Sequence, residues 1–203
     1  MTETAAPHHA AFTEQKDPKH PMEKWIRQDT RYSGVIVQLK TGDVTLDNGA
    51  IAFREVVEHP GGVGVVPFDG RHVYLVRQFR IAVNDWVLEI PAGKMEPGDA
   101  PEARGLAEVQ EEIGHTVART VDGGRFYATV GYCNELIHLY FAFGLTHTGQ
   151  QLEPEERIEI VPLPLDEIRR RLADYSINDG KTIVALHRLL AYLEEHPEEI
   201  RQP

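Results

Sequence analysis

Apolar and polar positions alternate with a period of two along most of this chain and change to a helical period in three places. Val35, Val37 and Leu39 alternate with Ile36, Gln38 and Lys40, which predicts a strand. Asp47-Asn48-Gly49 is a turn signal, and Ile51 to Glu58 returns as the partner strand. These two make a small N-terminal antiparallel sheet. Val63 to Pro67 and His72 to Gln78 are short β-branched runs joined by Asp69-Gly70, and Trp86 to Ile90 is another strand. Thr116 to Arg119 and Gly124 to Val130 predict two further strands. The apolar run Leu136 to Leu145 suits a strand covered on both faces, and Ile158 to Leu163 is the last strand. Helical spacing predicts helices over Leu165 to Asp174 and Lys181 to His196.

The third helix lies in the middle. Pro101 suits its first position and Gly114 the left-handed residue that ends it. Leu106, Val109 and Ile113 fall on one side. Glu108, Glu111 and Glu112 share the opposite side at i, i+3 and i+4. Strands in this number around helices predict an α+β fold, an α/β/α sandwich.

The 203 residues suffice for one domain with a sizeable core and a tail. Residues 1–20 carry no apolar period and read as a flexible tail, where His8, His9 and His20 belong to an untidy terminus rather than a metal site. Residues 21–58 form the N-terminal β extension and 59–203 the main domain. The formal net charge of −11 argues against nucleic-acid and membrane-surface binding. A phosphate-bearing ligand must therefore be met by local arginines and a metal. Cys133 is the only cysteine, so no internal disulfide forms and a reducing cytoplasm fits. No apolar run reaches membrane-span length and no signal-peptide pattern opens the chain.

Three carboxylates one turn apart repel unless a cation lies between them, and a hard divalent cation takes oxygen ligands. The loop Gly93 to Asp99, with its glycines and proline, brings backbone carbonyls toward the same place. The plain alternative is a solvated acidic helix face. His59, His115 and His138 sit in or beside apolar stretches and read as satisfied core histidines. Cys133 reads as a small buried residue, and Trp25 as an interface or core residue before a purine-stacking one.

The stretch from Gly93 to His115, with Glu108-Val109-Gln110-Glu111-Glu112-Ile113-Gly114, resembles the signature of the Nudix hydrolases. Asp99 stands where that pattern has Glu, Ala107 where it has Arg, and His115 where it has an apolar residue. Arg104, four residues before Glu108, is placed to substitute for the missing arginine. Strings in order along the chain resemble the ADP-ribose pyrophosphatase branch: residues 54–61, 75–80, 88–93, 133–140 and 177–182. The branch has a proline before a glycine downstream of the signature, where this chain has Val130-Gly131.

The resemblance implies a Nudix fold, a mixed sheet between helices with the N-terminal sheet added. It implies metal-dependent hydrolysis of a nucleoside diphosphate linked to another moiety, foremost ADP-ribose to AMP and ribose 5-phosphate. Mg²⁺ is the expected cofactor, with Mn²⁺ possible in its place. Glu108, Glu111, Glu112, Glu156 and the Ala92 carbonyl are the expected metal ligands. Glu111, Glu112 and Glu156 are the expected catalytic groups, with Glu153 and Glu155 as alternatives to Glu156. Arg54, Arg80, Glu89 and Glu135 are expected to bind substrate. A homodimer is expected, with the N-terminal sheet crossing to the partner. The alternatives are hydrolysis of another nucleotide sugar or dinucleotide, or a catalytically weak sensor that binds a nucleotide sugar.

Overall fold

The computed structural model describes residues 22–152, 154 and 156–201. The expected tail over residues 1–20, with Glu153 and Glu155, lies outside the described residues. Ten strands and three α-helices follow one another. An antiparallel sheet of β1 (Glu23–Ser33), β2 (Gln38–Leu46) and β3 (Ile51–Glu58) comes first, in the order β1-β2-β3. A mixed sheet has the order β7-β4-β9-β8, from β7 (Ala92–Lys94), β4 (Gly62–Pro67), β9 (Leu136–His147) and β8 (His115–Tyr127). A third sheet pairs β10 (Ile158–Pro164), β5 (His72–Arg80) and β6 (Asp85–Glu89) in the order β10-β5-β6. Helix α1 is Pro101–Ile113, α2 is Leu165–Ala173 and α3 is Gly180–Glu195.

Strand β4 is buried throughout and runs parallel to β9. Its alternate residues feed two cores, as the period of two requires. Val65 joins Val109 and Ile113 of α1 on one side. Val66 joins Leu139, Phe141, Ile168, Leu186 and Leu189 on the other, against α2 and α3. Helices thus cover both faces, the expected α/β/α layering. Gly105 brings α1 close to β4, since a Cβ there would stand 2.8 Å from the Val65 Cγ2.

Three expectations change. The strand expected from Val35 begins at Gln38, because Gly34 to Val37 form a turn closed by the Gly34 N–H to the Val37 carbonyl at 2.9 Å, with Val35 fully exposed. The expected partner Ile51–Glu58 does pair with β2, and a second, unexpected partner, β1, is exposed along nearly its whole length. Such a strand faces no core, so it carries no one-sided alternation to read. Thr116 to Arg119 and Gly124 to Tyr127 are parts of the single strand β8, which ends three residues before the expected Val130. Asp122-Gly123-Gly124 is a bulge in it rather than a turn, with Gly124 at φ 79° and its N–H donating to Asp122 Oδ1 at 2.7 Å. Trp25 is 40% exposed and belongs to no core.

The end of β3 is stitched to the loop between β8 and β9. The Val57 N–H donates to the Tyr132 carbonyl at 2.7 Å, and the His59 N–H to Asn134 Oδ1 at 2.8 Å. Exposed Ile26, Tyr32, Ile51 and Phe53 remain on the N-terminal sheet. Among the described residues no helix is long and apolar enough to cross a membrane.

Candidate functional site

Helix α1, the strand β7 before it and the start of α3 converge on one cleft of about 1440 Å³. α1 is set by Pro101 at its start and by Gly114, φ 66°, at its end. Its buried arc contains Gly105, Glu108, Val109, Glu112 and Ile113. Glu108 and Glu112 therefore flank the apolar stripe and point inward, each 5% exposed, rather than lying on the opposite side as the spacing predicts. Glu111 alone keeps much of its carboxylate in water. All three line the cleft with Glu135 and Glu156.

The geometry around these carboxylates is specific. Gly93 lies directly under Glu108, and a Cβ there would fall 1.5 Å from Glu108 Oε1. The Arg104 Nη2 donates to Glu108 Oε1, and Arg104 Nη1 stands 3.7 Å from Glu111 Oε2. Arg104 thus takes the place at the glutamates that Ala107 leaves empty. The Ala92 N–H donates to Glu112 Oε2 at 3.2 Å. Ala92, whose carbonyl is expected from the sequence to be a ligand, lines the cleft beside Glu112.

Burial, and then the neighbouring Glu108 carboxylate, push Glu112 up to about 8. Burial raises Glu108 as well, against the opposing pull of Arg104. Arg104 answers Glu108 and Glu111 but not Glu112, so once Glu112 ionises the cluster carries more negative charge than that arginine balances. As posed, the carboxylates are taken up by protein donors. Among the described residues no three acidic, imidazole or thiol groups enclose a metal position. Their all-oxygen chemistry and unbalanced charge nevertheless suit a hard divalent cation.

Facing this wall stands a basic one. Glu89 of β6 is buried and accepts from Arg80 Nε at 2.7 Å and Nη2 at 2.9 Å. It also accepts from Lys181 Nζ, which reaches Asp179 Oδ2 at 3.0 Å. Burial alone would push Glu89 up, but Arg80 and Lys181 outweigh it and hold it below the usual carboxylate range. Asp179 caps α3 by accepting from the Thr182 N–H at 3.0 Å. The Thr182 hydroxyl accepts in turn from the Ile90 N–H at 2.9 Å, tying the start of α3 to the end of β6.

Of the residues expected to bind substrate, Arg80 and Glu135 line the cleft. Glu89 is not among the lining residues, and its oxygens are engaged by Arg80 and Lys181 behind them. Arg54 is not brought to the site within its own chain. It sits on the N-terminal sheet, donating to Glu23 at 2.6 and 2.9 Å. Of that sheet, Gln38 and Glu58 and the turn at Gly34 to Ile36 line the cleft, and Arg54 does not.

Lys181 and Asp179 were not singled out by the sequence, although Asp179-Gly180-Lys181-Thr182 carries a helix-start signal. His59 lines the cleft rather than the core. Its Nδ1 lies 3.1 Å from the Gly61 N and 3.6 Å from Glu135 Oε1. His115 stacks between Tyr74 and His147 with ring centroids 5.0 and 5.1 Å away. Burial holds His138 below the ordinary imidazole value.

Comparison with known proteins gives one consistent result. A family model described as the NUDIX domain matches residues 58–186. The chain is 35% identical over 170 residues to a methanol dehydrogenase activator of Bacillus methanolicus, covering 82% of this chain and 92% of that protein. It is 33% identical over 170 residues to an ADP-ribose pyrophosphatase of Bacillus subtilis, with the same coverage of each. A crystal structure of an ADP compounds hydrolase superposes with a TM-score of 0.77 at 18% identity, over 86% of this chain and 95% of that one. At that identity the last match speaks for the fold.

Proposed function

This chain belongs to the Nudix family, and from that premise we propose that it is a pyrophosphohydrolase that cleaves a nucleoside diphosphate sugar, foremost ADP-ribose to AMP and ribose 5-phosphate. One observation carries the reading: Glu108 and Glu112 are buried side by side at the foot of a cleft that also offers Arg80, Lys181, Glu111 and Glu156. A binding surface for a diphosphate has no use for two buried carboxylates, which would repel it. A centre that loads a cation before the diphosphate does.

Glu108, Glu111, Glu112 and Glu156 would hold the cation, Mg²⁺ or Mn²⁺. When bound, it neutralises charge on the pyrophosphate oxygens and acidifies water. Arg80, fixed on Glu89 through two nitrogens, keeps Nη1 for a phosphate oxygen and orients the diphosphate across the cleft. Glu156, at the edge of β10, takes the proton of the attacking water. The water oxygen bonds to one phosphorus, and the P–O bond to the bridging oxygen breaks. Lys181 adds a second positive charge beside Arg80 for the phosphate that leaves.

Incubation with Mg²⁺ and a panel of ADP-ribose, other nucleoside diphosphate sugars and dinucleotides, followed by chromatography, tests the reading. AMP from ADP-ribose at the highest kcat/KM is expected. Saturable binding without nucleoside monophosphate from any compound would reject it. That outcome would favour the second reading, a Nudix-fold regulator, whose support is the name of the Bacillus methanolicus relative.

Gly93 supplies a sharper check. Gly93→Ala drives a methyl into the Glu108 carboxylate, the mobile end of a side chain, rather than into backbone. The expected result is a native circular dichroism spectrum with kcat reduced ~100-fold, because a displacement near 1 Å is enough to misplace a catalytic group. Wild-type kcat in this variant would remove Glu108 from the site.

We also propose a homodimer built through the N-terminal sheet, supported by its exposed Ile26, Tyr32, Ile51 and Phe53. A monomeric mass in light scattering at micromolar concentration would contradict it.

A further inference from the structure

Two arginines flank the acidic wall, and they are bound very differently. Arg80 has Nε and Nη2 committed to a buried glutamate on a strand. Arg104 hangs from the same helix as the carboxylates, with its side chain 34% exposed. Its Nη2 donates to Glu108 and its Nη1 leans on Glu111, while its Nε is buried and unpaired, the only such side-chain atom found among the described residues. A buried N–H without an acceptor is costly, and an acceptor oxygen arriving in the cleft would satisfy it.

Arg104 and a divalent cation want the same oxygen. Glu108 Oε1 lies between Arg104 and Gly93, so a cation that reaches it meets a guanidinium already bound there. We propose that Arg104 is a displaceable internal counter-ion: it holds Glu108 and Glu111 in the cation-free protein, yields them when a divalent cation enters, and then turns its guanidinium onto a phosphate of the substrate. The inference rests on the reading above that these carboxylates take a cation. It assigns Arg104 a positioning role in one state and a substrate-binding role in the next. Cation and substrate would then bind in order, because the arginine that meets the phosphate is released by the cation.

The test uses Mn²⁺ alone with the full chain and no substrate, reading free Mn²⁺ by electron paramagnetic resonance. Removing a competing charge should tighten cation binding, so Arg104→Met is expected to lower the Mn²⁺ Kd about tenfold, within the usual range of such couplings. Arg104→Lys, which keeps one charge but cannot bridge two carboxylates, should fall between. It carries the test if the methionine variant fails to fold. At saturating Mn²⁺ the KM for ADP-ribose should rise about tenfold in Arg104→Met. A purely structural arginine would give the opposite sign, since its loss would disorder the ligands. Equal or weaker Mn²⁺ binding by the variants, with wild-type binding intact, overturns this inference alone. An unchanged KM overturns its phosphate half. No Mn²⁺ uptake by the wild-type protein overturns the cation site itself and this inference with it.

Discussion

Glu112→Gln should lower kcat by ~10³-fold and leave the cation-free protein as stable as the wild type or more so. The two halves of that result have one origin. The carboxylate is buried beside Glu108 and is pushed up to about 8. The rate loss reflects several kcal/mol of charge stabilisation that a neutral amide cannot help to supply. The stability gain reflects a burial cost that the amide does not incur. In the folded state Glu112 keeps its proton to about 8, whereas the unfolded chain releases it near 4.5. The folded state therefore binds more protons across that window, and stability falls as pH rises through it. The full effect is on the order of 5 kcal/mol, taken as an upper figure. Thermal melts in chelator from pH 5 to pH 8.5 should show this decline, Glu112→Gln should flatten it, and saturating Mg²⁺ should flatten it too. A wild-type melt that rises with pH over the same window would contradict the burial argument.

The second large effect lies on the opposite wall. Glu89→Ala should destabilise the protein by about 3–5 kcal/mol, because it leaves Arg80 and Lys181 without their shared partner. For a chain of this size that corresponds to a fall of ~10 °C in Tm. Lys181→Met made together with Glu89→Leu should recover part of the loss, since it removes one of the two charges that Glu89 pairs and leaves only the half-exposed Arg80. Activity should not recover, because Arg80 loses its fixed pose. If Glu89→Ala melts within 2 °C of the wild type, the network is decorative and Arg80 is positioned by something else.

Most main-domain strands, the three helices and the caps of α1 were legible in the sequence because each obeys a local rule, while the three-residue β7 was read as loop. The mixed sheet followed from short apolar runs such as Val63 to Pro67, and α1 from Pro101 and Gly114. β1 was not legible, because an edge strand exposed on both faces has no reason to alternate. β8 was misread at Asp122-Gly123-Gly124, where the residues that make a turn also make a bulge and only the partner strand decides.

The site divides in the same way. Glu108, Glu111 and Glu112 were legible as a group, because their spacing is local. The burial of two of them was not, since it depends on how α1 rolls against β4 over Gly105. The partnership of Glu89 with Lys181 joins residues far apart in sequence, and no local pattern announces it. Arg54 was placed on the right sheet, but its role came from a string resemblance, which cannot say which way a side chain on that strand is engaged.

Central to all of this is a pair of inward-facing carboxylates that become a working centre only with a cation. The most direct measurement is ADP-ribose turnover by chelator-treated protein as Mg²⁺ is restored stepwise, run in parallel on wild type and Glu112→Gln. No turnover in chelator, saturable recovery in the wild type and none in the variant is the predicted result. Turnover that persists in chelator, or a variant that recovers alongside the wild type, would contradict it.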